Sequence, residues 1–257
     1  MPIKFTILGC GSSLGVPRAD GNWGNCNPQQ KKNYRTRCSA MISNKNFTIL
    51  FDTSPDLRTQ LIREKVKNVS SVFYSHSHGD QTHGINDLRI FYLKQRKKID
   101  VYTNSYTKTY LKKNFSYCFI DKTNYPAILN FKKFKKKIIF TYKKKKIKIK
   151  SIEVKHGNIN CLAFIINDTC AYASDVNKIY KKDLKHFFNL NYFVVDCLKM
   201  APHPSHFNLD DVLYLVKKIK PKKTILTNLH SDLDYNYLLK ILPKNVKPAY
   251  DGLSFYI

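Results

Sequence analysis

The chain has 257 residues, of which 43% are hydrophobic, enough to bury the core of one compact α/β or layered domain. Its formal net charge is +27, but lysine, asparagine, isoleucine and tyrosine are abundant together, as an AT-rich coding sequence produces without selection for nucleic-acid binding. No stretch approaches the roughly 18 uncharged apolar residues of a membrane helix, and the start MPIKFTILGCGSS lacks a secretory h-region, so we expect a soluble cytoplasmic protein.

Short β-type segments dominate the first part of the chain. KFTILGC, CSAMISN and FTILFDT carry β-branched and aromatic residues bounded by Gly, Asn and Pro. SPDLRTQLIREKV predicts a helix from Ser54, with a Ser cap and Pro at its first position. The strand SSVFYSH follows and delivers His76 at its carboxyl end. GINDLRIFYLKQ then predicts a helix, IDVYTN a strand and SYTKTYLKKNF another helix.

The second part of the chain alternates between strands and helices. Residues 131–175 are predicted as strands, with CLAFIIND and CAYASD forming a hairpin. KIYKKDLKHFFNL, DDVLYLVKKIK and YNYLLKIL are predicted helices, separated by the strands YFVVDCL and TILTNL. No internal repeat or flexible linker appears, so we expect a single domain over 1–257. This pattern predicts an α+β architecture with two sheets sandwiched between helices.

The densest basic segment is FKKFKKKIIFTYKKKKIKIK at 131–150, with eleven lysines. Apolar residues placed between the lysines indicate β-strands with a solvated lysine face. The alternative is a surface that binds phosphates along a nucleic acid. Stacking aromatics interleaved with arginines would favour that alternative, and they are missing.

The segment HSHGD follows a predicted buried strand. His76 and His78 alternate with a small residue, so an extended backbone points both imidazoles the same way, and Asp80 follows in the turn. Two nitrogens and one oxygen form a ligand set that zinc and similar metals accept. Further candidates close to strand ends are His156, Asp175, His203 and His206. Together these residues predict convergence on one rim of the sheets.

The chain resembles the metallo-β-lactamase superfamily over essentially its whole length. The resemblance is carried by HxHxD at 76–80, DTSPDLR at 52–58, His156, SDVN around Asp175, and LTNLHSDLDY at 226–235. GCGSSLGVPR at 9–18 and the segment PHPSHF are most similar to the branch that includes phosphoribosyl 1,2-cyclic phosphate phosphodiesterase. Nucleases of the RNase Z type form a neighbouring branch. The resemblance implies an αββα sandwich of two mixed β-sheets flanked by helices, with a metal centre at the carboxyl ends of the strands.

The resemblance also implies a set of metal ligands. His76, His78 and His156 would hold a first metal, Asp175 would bridge to a second, and Asp80 would belong to the second. Zinc is the expected metal, and manganese or iron is compatible with the same ligands. The seven scattered cysteines contain no CxxC pair, so neither a structural zinc nor a disulfide framework is predicted.

The second metal site departs from the family pattern. That pattern has a histidine directly after Asp80 and another in a late LTH motif, where this chain has Gln81 and Asn228. His230 is a candidate substitute, because a shift of two residues on an extended segment keeps the same face. His83 is a weaker candidate because it follows a turn. A rebuilt two-metal site, a one-metal enzyme and a non-catalytic site are the alternatives.

The implied chemistry is hydrolysis of a phosphodiester by water activated at one or two divalent metal ions. His206 is the first candidate for the general acid on the leaving oxygen and His203 the second. Asp80 would help to orient the water if the metal leaves it free. Arg18 and Arg37 are the candidate phosphate contacts, because arginine is rare here beside lysine.

Three functions follow from these observations. The first is a phosphodiesterase acting on a small cyclic or nucleotide-like phosphodiester. The second is a nuclease of the RNase Z type, which the charge of +27 favours. The third is a non-catalytic pseudoenzyme that binds metal or nucleic acid, motivated by Gln81 and Asn228. The substrate and the metal are left open, as is the oligomeric state, with a homodimer as one alternative.

Overall fold

The computed structural model describes residues 3–142 and 145–257, and within these ranges the chain forms two mixed β-sheets. The first sheet has the strand order β15-β1-β2-β3-β4-β5-β6. Its strands are β1 (Lys4–Gly9), β2 (Ser39–Asn44), β3 (Phe47–Phe51), β4 (Ser71–Phe73), β5 (Ile99–Tyr102), β6 (Leu129–Phe131) and β15 (Ser254–Tyr256). The strands from β3 to β6 are parallel, so their carboxyl ends lie at one edge.

The second sheet has the order β11-β8-β9-β10-β12-β13-β14, with β7 paired to β8. Its strands are β7 (Lys137–Tyr142), β8 (Lys145–His156), β9 (Ile159–Ile166), β10 (Cys170–Ala173), β11 (Lys178–Ile179), β12 (Tyr192–Asp196), β13 (Lys223–Thr227) and β14 (Val246–Pro248). The pairs β10–β12, β12–β13 and β13–β14 are parallel. This sheet therefore also has a group of carboxyl ends at one edge.

Helices cover the outer faces of the sheets. They are α1 (Leu57–Arg63), α2 (Gly79–Thr82), α3 (Arg89–Gln95), α4 (Ser105–Asn114), α5 (Ser116–Phe119), α6 (Leu209–Ile219) and α7 (Tyr235–Ile241), with 3₁₀ turns at Lys31–Asn33, Ile85–Leu88 and Leu184–Phe187. The longest helix, α6, begins with a capping box between Asn208 and Asp211. It buries Val212 and Leu215 against the second sheet.

The hydrophobic core has three layers, as an αββα sandwich requires. Between the sheets, Phe5, Phe51, Phe73 and Phe164 are buried together. Each such ring stabilises the fold by about 1.5–3 kcal/mol relative to an exposed one. A second cluster lies under α1 and α3, and a third under α6 and α7. The predicted sandwich of two mixed sheets flanked by helices is therefore confirmed.

The structure differs from two of the predicted elements. The helix predicted over 178–190 is absent: Lys178–Ile179 pairs with β8 as an edge strand, and only a 3₁₀ turn follows. Asn189 then takes a left-handed conformation, with φ of 54°, which ends that turn. The first predicted helix begins at Leu57 rather than Pro55, because residues 55–56 form a turn.

The lysine-rich segment 131–150 forms the hairpin of β7 and β8, with residues 143–144 outside the described ranges. Ile147 and Ile149 point into the core, and the lysines between and beside them face outward. Lys148 and Lys150 pair with Asp168. This alternation is the solvated lysine face that the sequence indicates.

All seven cysteines are buried and free, as expected from their spacing. Burial raises the pKa of several of these thiols, including Cys161 and Cys170, which keeps them protonated and unreactive. Across the described ranges, no helix has both the length and the apolar character that crossing a bilayer requires.

Candidate metal centre

Polar side chains from both sheets meet where the strands end. His76 and His78 follow β4, and His156 is the last residue of β8. The residues contributed by the parallel strands of the second sheet are Asp175 after β10, Asp196 at the end of β12 and Asn228 after β13. Because these strands run side by side, their ends bring residues from distant parts of the chain together.

Three imidazoles form the centre of this site. The ligating atoms of His76, His78 and His156 lie within 4.8 Å of one another. His156 Nδ1 donates to the carbonyl oxygen of Ser205 at 2.7 Å, which leaves its Nε2 as an acceptor. His76 Nδ1 lies 2.9 Å from the hydroxyl of Ser75. Both rings therefore point their other nitrogen toward the cluster.

His76 is suited to bind a cation rather than a proton. Its side chain is buried, and its Nε2 has no hydrogen-bond partner among the described residues. Burial is the main cause that lowers the pKa of His76 to about 3, and the neighbouring imidazoles add to it. A neutral imidazole with a free lone pair is the form that metals bind.

Asp175 belongs to a second group of potential ligands, because its ligating atom and those of His156 and His206 lie within 4.8 Å of one another. It is buried, and its Oδ2 also has no hydrogen-bond partner among the described residues. Burial opposes its negative charge, but His76, His156 and His206 outweigh that effect and lower its pKa. His156 is common to the two groups, so Asp175 lies beside the three imidazoles, and zinc accepts three imidazole nitrogens with one carboxylate oxygen.

Asp80 stands apart from this set. In the described part of the chain it is not in a group of three potential ligands within 4.8 Å. It lines the same pocket, and burial together with Asp175 raises its pKa to about 6. Asp80 therefore adds a titratable carboxyl to the rim.

His206 lies against the cluster and is held by a buried carboxylate. Its Nδ1 is 2.6 Å from Oδ2 of Asp196, and its ring centroid is 4.6 Å from that of His156. Burial opposes a positive charge on His206, but Asp196 outweighs it and raises the pKa of His206 to about 9. His203 lies beside it, with ring centroids 5.1 Å apart. Both candidate acids are therefore at the site.

The proposed replacements for the missing histidines differ in position. His230 lines the pocket and lies 3.1 Å from Asp232, but it does not join either group of potential ligands among the described residues. His83 is exposed and packs on Phe115, with its Nε2 3.4 Å from the Tyr110 hydroxyl. His83 therefore points away from the metal cluster.

The pocket over these residues has a volume of about 340 Å³. Its wall includes Ser12, Leu14, Lys199 and Ser205 besides the histidines and aspartates. A larger cavity of about 640 Å³ lies between α1 and α3, and none of the site residues lines it. The smaller pocket is therefore the candidate site.

The two predicted phosphate contacts are engaged elsewhere. Arg18 pairs with Asp20 at 3.1 Å and does not line the pocket. Arg37 forms a bidentate pair with Asp56, with distances of 2.8 and 2.7 Å. Neither residue lines the pocket, so their role in substrate binding stays a prediction.

Three further residues at the site are not among the site residues predicted from the sequence, although Asp52 opens the motif DTSPDLR. Asp196 ends the apolar strand YFVVDCL, and that position is the signal that could have identified it. Asp52 accepts from the Ser75 backbone N–H at 2.7 Å and so fixes the segment that carries His76. Lys199 is hidden among the many lysines of the chain.

Comparisons with known proteins agree with this architecture. The model of a beta-lactamase superfamily domain matches residues 48–228. A curated relative, octanoyltransferase of Porphyromonas gingivalis (strain ATCC BAA-308 / W83), is 25% identical over 259 residues. That alignment covers 99% of this chain and 52% of the relative. The chain thus spans about half the length of that protein.

Solved structures extend the comparison over the whole chain. A diphosphatase from the PhnP family is 26% identical, has a TM-score of 0.90, and is matched over 100% of this chain and 98% of its own. The short form of human tRNase Z is 13% identical, has a TM-score of 0.70, and is matched over 98% of each chain. The chain belongs to the metallo-β-lactamase superfamily, and its relatives include phosphodiesterase-type hydrolases.

Proposed function

We propose that this protein is a metal-dependent phosphodiesterase that hydrolyses a small cyclic or nucleotide-like phosphodiester. The observation that carries the proposal is the donor cluster at the pocket, where His76 Nε2 and Asp175 Oδ2 are buried and have no partner in the described part of the chain. Beside it stands His206, which Asp196 keeps protonated. The likeness to a diphosphatase at 26% identity supports phosphate ester chemistry.

His76, His78, His156 and Asp175 would hold the cation. When bound, a divalent cation supplies a Lewis acid that lowers the pKa of water and neutralises phosphoryl charge. Nitrogen-rich donors favour zinc, and manganese or iron is compatible with the same residues. Hydrogen bonds with the Ser75 hydroxyl and the Ser205 carbonyl oxygen keep the rings of His76 and His156 in their ligating orientation.

His206 is the general acid in this proposal. Cleavage of a P–O bond develops negative charge on the leaving oxygen, which must gain a proton. His206 carries that proton at neutral pH, and Asp196 fixes its ring through Nδ1 so that Nε2 is the atom that donates. Asp80 on the pocket rim would help to orient the attacking water. His203 is the second candidate for the acid.

The pocket wall supports a small anionic substrate. Its volume of about 340 Å³ is at the lower end for ligand sites. Lys199 supplies a positive charge on this wall, and the buried hydroxyl of Ser12 has no partner among the described residues. These two groups replace Arg18 and Arg37 as the phosphate contacts that we propose.

Turnover of bis-p-nitrophenyl phosphate tests the proposal. Purified protein loaded with zinc or manganese should hydrolyse this diester, and His76→Ala should reduce turnover to background because the cation loses a buried ligand. His83→Ala is the matched control, since His83 lies outside the pocket. If the protein with its metal bound has no turnover of any diester tried, the non-catalytic alternative replaces this proposal.

A nuclease is the second candidate, and the net charge of +27 favours it. A substrate RNA would use the lysine face of β7 and β8 as well as the pocket. Binding that depends on phosphate contacts weakens steeply with salt, so a salt series on RNA binding and cleavage separates the two candidates. We propose no acyl transfer, because the octanoyltransferase is about twice as long as the part that this chain matches.

A further inference from the structure

We propose that this chain holds one divalent cation and that Asn228 takes the place of a second. The inference rests on the donor cluster of the proposed function, but it concerns the number of cations rather than the reaction. The family pattern implies a histidine at Asn228 and at Gln81 as ligands of a second metal. The structure assigns the amides at these positions a different role, as hydrogen-bond donors to the aspartates.

The orientation of the Asn228 amide decides whether its nitrogen or its oxygen faces the donor cluster. Its Nδ2 lies 3.0 Å from the backbone carbonyl oxygen of Ser174, and a carbonyl oxygen can only accept. The amide nitrogen is therefore the atom that faces the cluster. The same nitrogen lies 3.3 Å from Oδ1 of Asp175 and 3.2 Å from Oδ1 of Asp196. An N–H group between two carboxylates stabilises their charge in the way a cation would, and it has no lone pair for a metal.

Both oxygens of Asp196 are also engaged. Oδ1 lies against the Asn228 amide, and Oδ2 accepts from His206 and from the backbone N–H of Val176, at 2.6 and 2.9 Å. Asp175 Oδ2, which has no partner within the described ranges, belongs to the ligand set of the first cation. A second cation between Asp175 and Asp196 would therefore have to displace hydrogen bonds already formed.

The amide nitrogen of Gln81, like that of Asn228, faces a carboxylate. Gln81 is fully buried, and its Nε2 lies 3.4 Å from Oδ2 of Asp80. An ionised carboxylate can only accept, so the amide presents its N–H side to Asp80. The Oε1 of Gln81 is buried without a partner within the described ranges, so this position offers a metal only an amide oxygen, which is a poorer ligand for zinc than imidazole. Neither His83 nor His230 joins a group of ligands that would compensate in the described part of the chain.

Metal stoichiometry tests this inference. Protein purified without a tag is dialysed with Zn²⁺, and zinc per chain is measured by elemental analysis. We expect one equivalent for the wild type and one for His230→Ala. The double variant Gln81→His with Asn228→His should bind two, because it restores both imidazoles. Two tightly bound equivalents in the wild type, or a drop from two to one in His230→Ala, would overturn the inference.

A second measurement covers the case in which the double variant does not fold. Asn228→Asp is nearly isosteric and replaces the N–H with an oxygen ligand, so it should gain a second equivalent. Mn²⁺ titration followed by EPR gives an independent count: one isolated ion is expected in the wild type, whereas two ions bridged by Asp175 give an exchange-coupled spectrum. One equivalent without diester turnover contradicts the proposed function alone, and two equivalents with turnover contradict this inference alone.

Discussion

The two ends of strand β8 belong to different regions of the molecule, the lysine-rich segment at its beginning and the metal centre at its end. At its beginning, Lys146, Lys148 and Lys150 alternate with buried isoleucines and face outward. At its end, His156 is 4% exposed and is held by the Ser205 carbonyl in contact with two other imidazoles. Lys146 and His156 are ten positions apart, which is roughly 33 Å along a strand.

This difference shows that many residues of one type in a segment are a weak guide to a functional site. Residues of several types that meet in the fold are a stronger one. The lysines lie together because they are close in sequence, and their partner in the structure is the exposed Asp168. The residues that meet at the metal centre come from the ends of five strands, and His76, His156 and Asp175 are buried at a cost that only a ligand or a partner offsets. We therefore place the catalytic site at the end of β8 that carries His156.

The largest effect is expected from removing the general acid at that end. His206→Gln should lower turnover of an alkyl phosphodiester by about 10²–10⁴-fold, because its alkoxide leaves poorly without a proton. The loss should be much smaller with bis-p-nitrophenyl phosphate, whose leaving group is stable as an anion. Steady-state kinetics on the two substrates checks this.

His203→Gln is the matched control for that prediction. His203 lines the same pocket, but its Nδ1 faces Ser205 instead of a carboxylate. We expect it to change turnover far less than His206→Gln does. An equal loss on both substrates in His206→Gln would argue against acid catalysis and for a role in folding or metal binding.

The part of this site that could be predicted from sequence is the part encoded by local pattern. HSHGD after a buried strand is sufficient to place two ligands, because the alternation of an extended backbone fixes their direction. The sandwich of two sheets followed from the spacing of apolar segments together with the family resemblance. The bond between Asp196 and His206 could not be foreseen, since it depends on how β12 lies against the loop that carries His206.

The features that could not be predicted depend on tertiary contacts, which the local sequence pattern does not show. The segment KIYKKDLKHFFNL has the composition of a helix, yet its first residues are taken by pairing with β8. Arg37, whose role in substrate binding stays a prediction, is bonded to Asp56 and does not line the pocket. The role of the Asn228 amide depends on which of its atoms faces Ser174, which only the folded structure defines.

A moderate effect is expected from the lysine at the pocket. Lys199→Ala should raise KM for a small diester by about tenfold, equivalent to about 1.4 kcal/mol of binding, because it removes a positive charge from the wall. Replacing the exposed Lys135, Lys136 and Lys137 of the lysine-rich segment by glutamate should leave KM unchanged. The same triple variant should weaken RNA binding at low salt, and this effect should vanish as salt is raised.

The opposite result would place substrate binding at the lysine-rich end of β8 instead of at the end that carries His156. If the triple variant lost turnover and Lys199→Ala did not, the lysine face would be part of the substrate site, and the nuclease would become the favoured function. Measuring both variants at two ionic strengths prevents a general electrostatic effect from being taken for a contact.

The smallest effect concerns stability, and it compares one ion pair near the site with one at the lysine end. Asp56 accepts three bonds from Arg37, at 2.9, 2.8 and 2.7 Å, one of them from the backbone. Asp168 pairs with Lys148 and Lys150 on an exposed surface. Asp56→Asn should lower the free energy of unfolding by about 1–2 kcal/mol, as expected for partly exposed charged hydrogen bonds. Asp168→Asn should lower it by about 0.5 kcal/mol or less.

The pH dependence of Asp56→Asn provides a check on the cause. Burial opposes the charge of Asp56, but the bonds from Arg37 outweigh it and lower its pKa. The carboxylate therefore adds stability at pH values above its unfolded pKa of about 3.9, and this contribution is lost as the pH falls through the lower folded pKa. Chemical denaturation at pH 7 and pH 3 should show the gap between wild type and Asp56→Asn closing in acid. A gap of equal size at both pH values would mean that Asp56 stabilises the loop by packing and not by its charge.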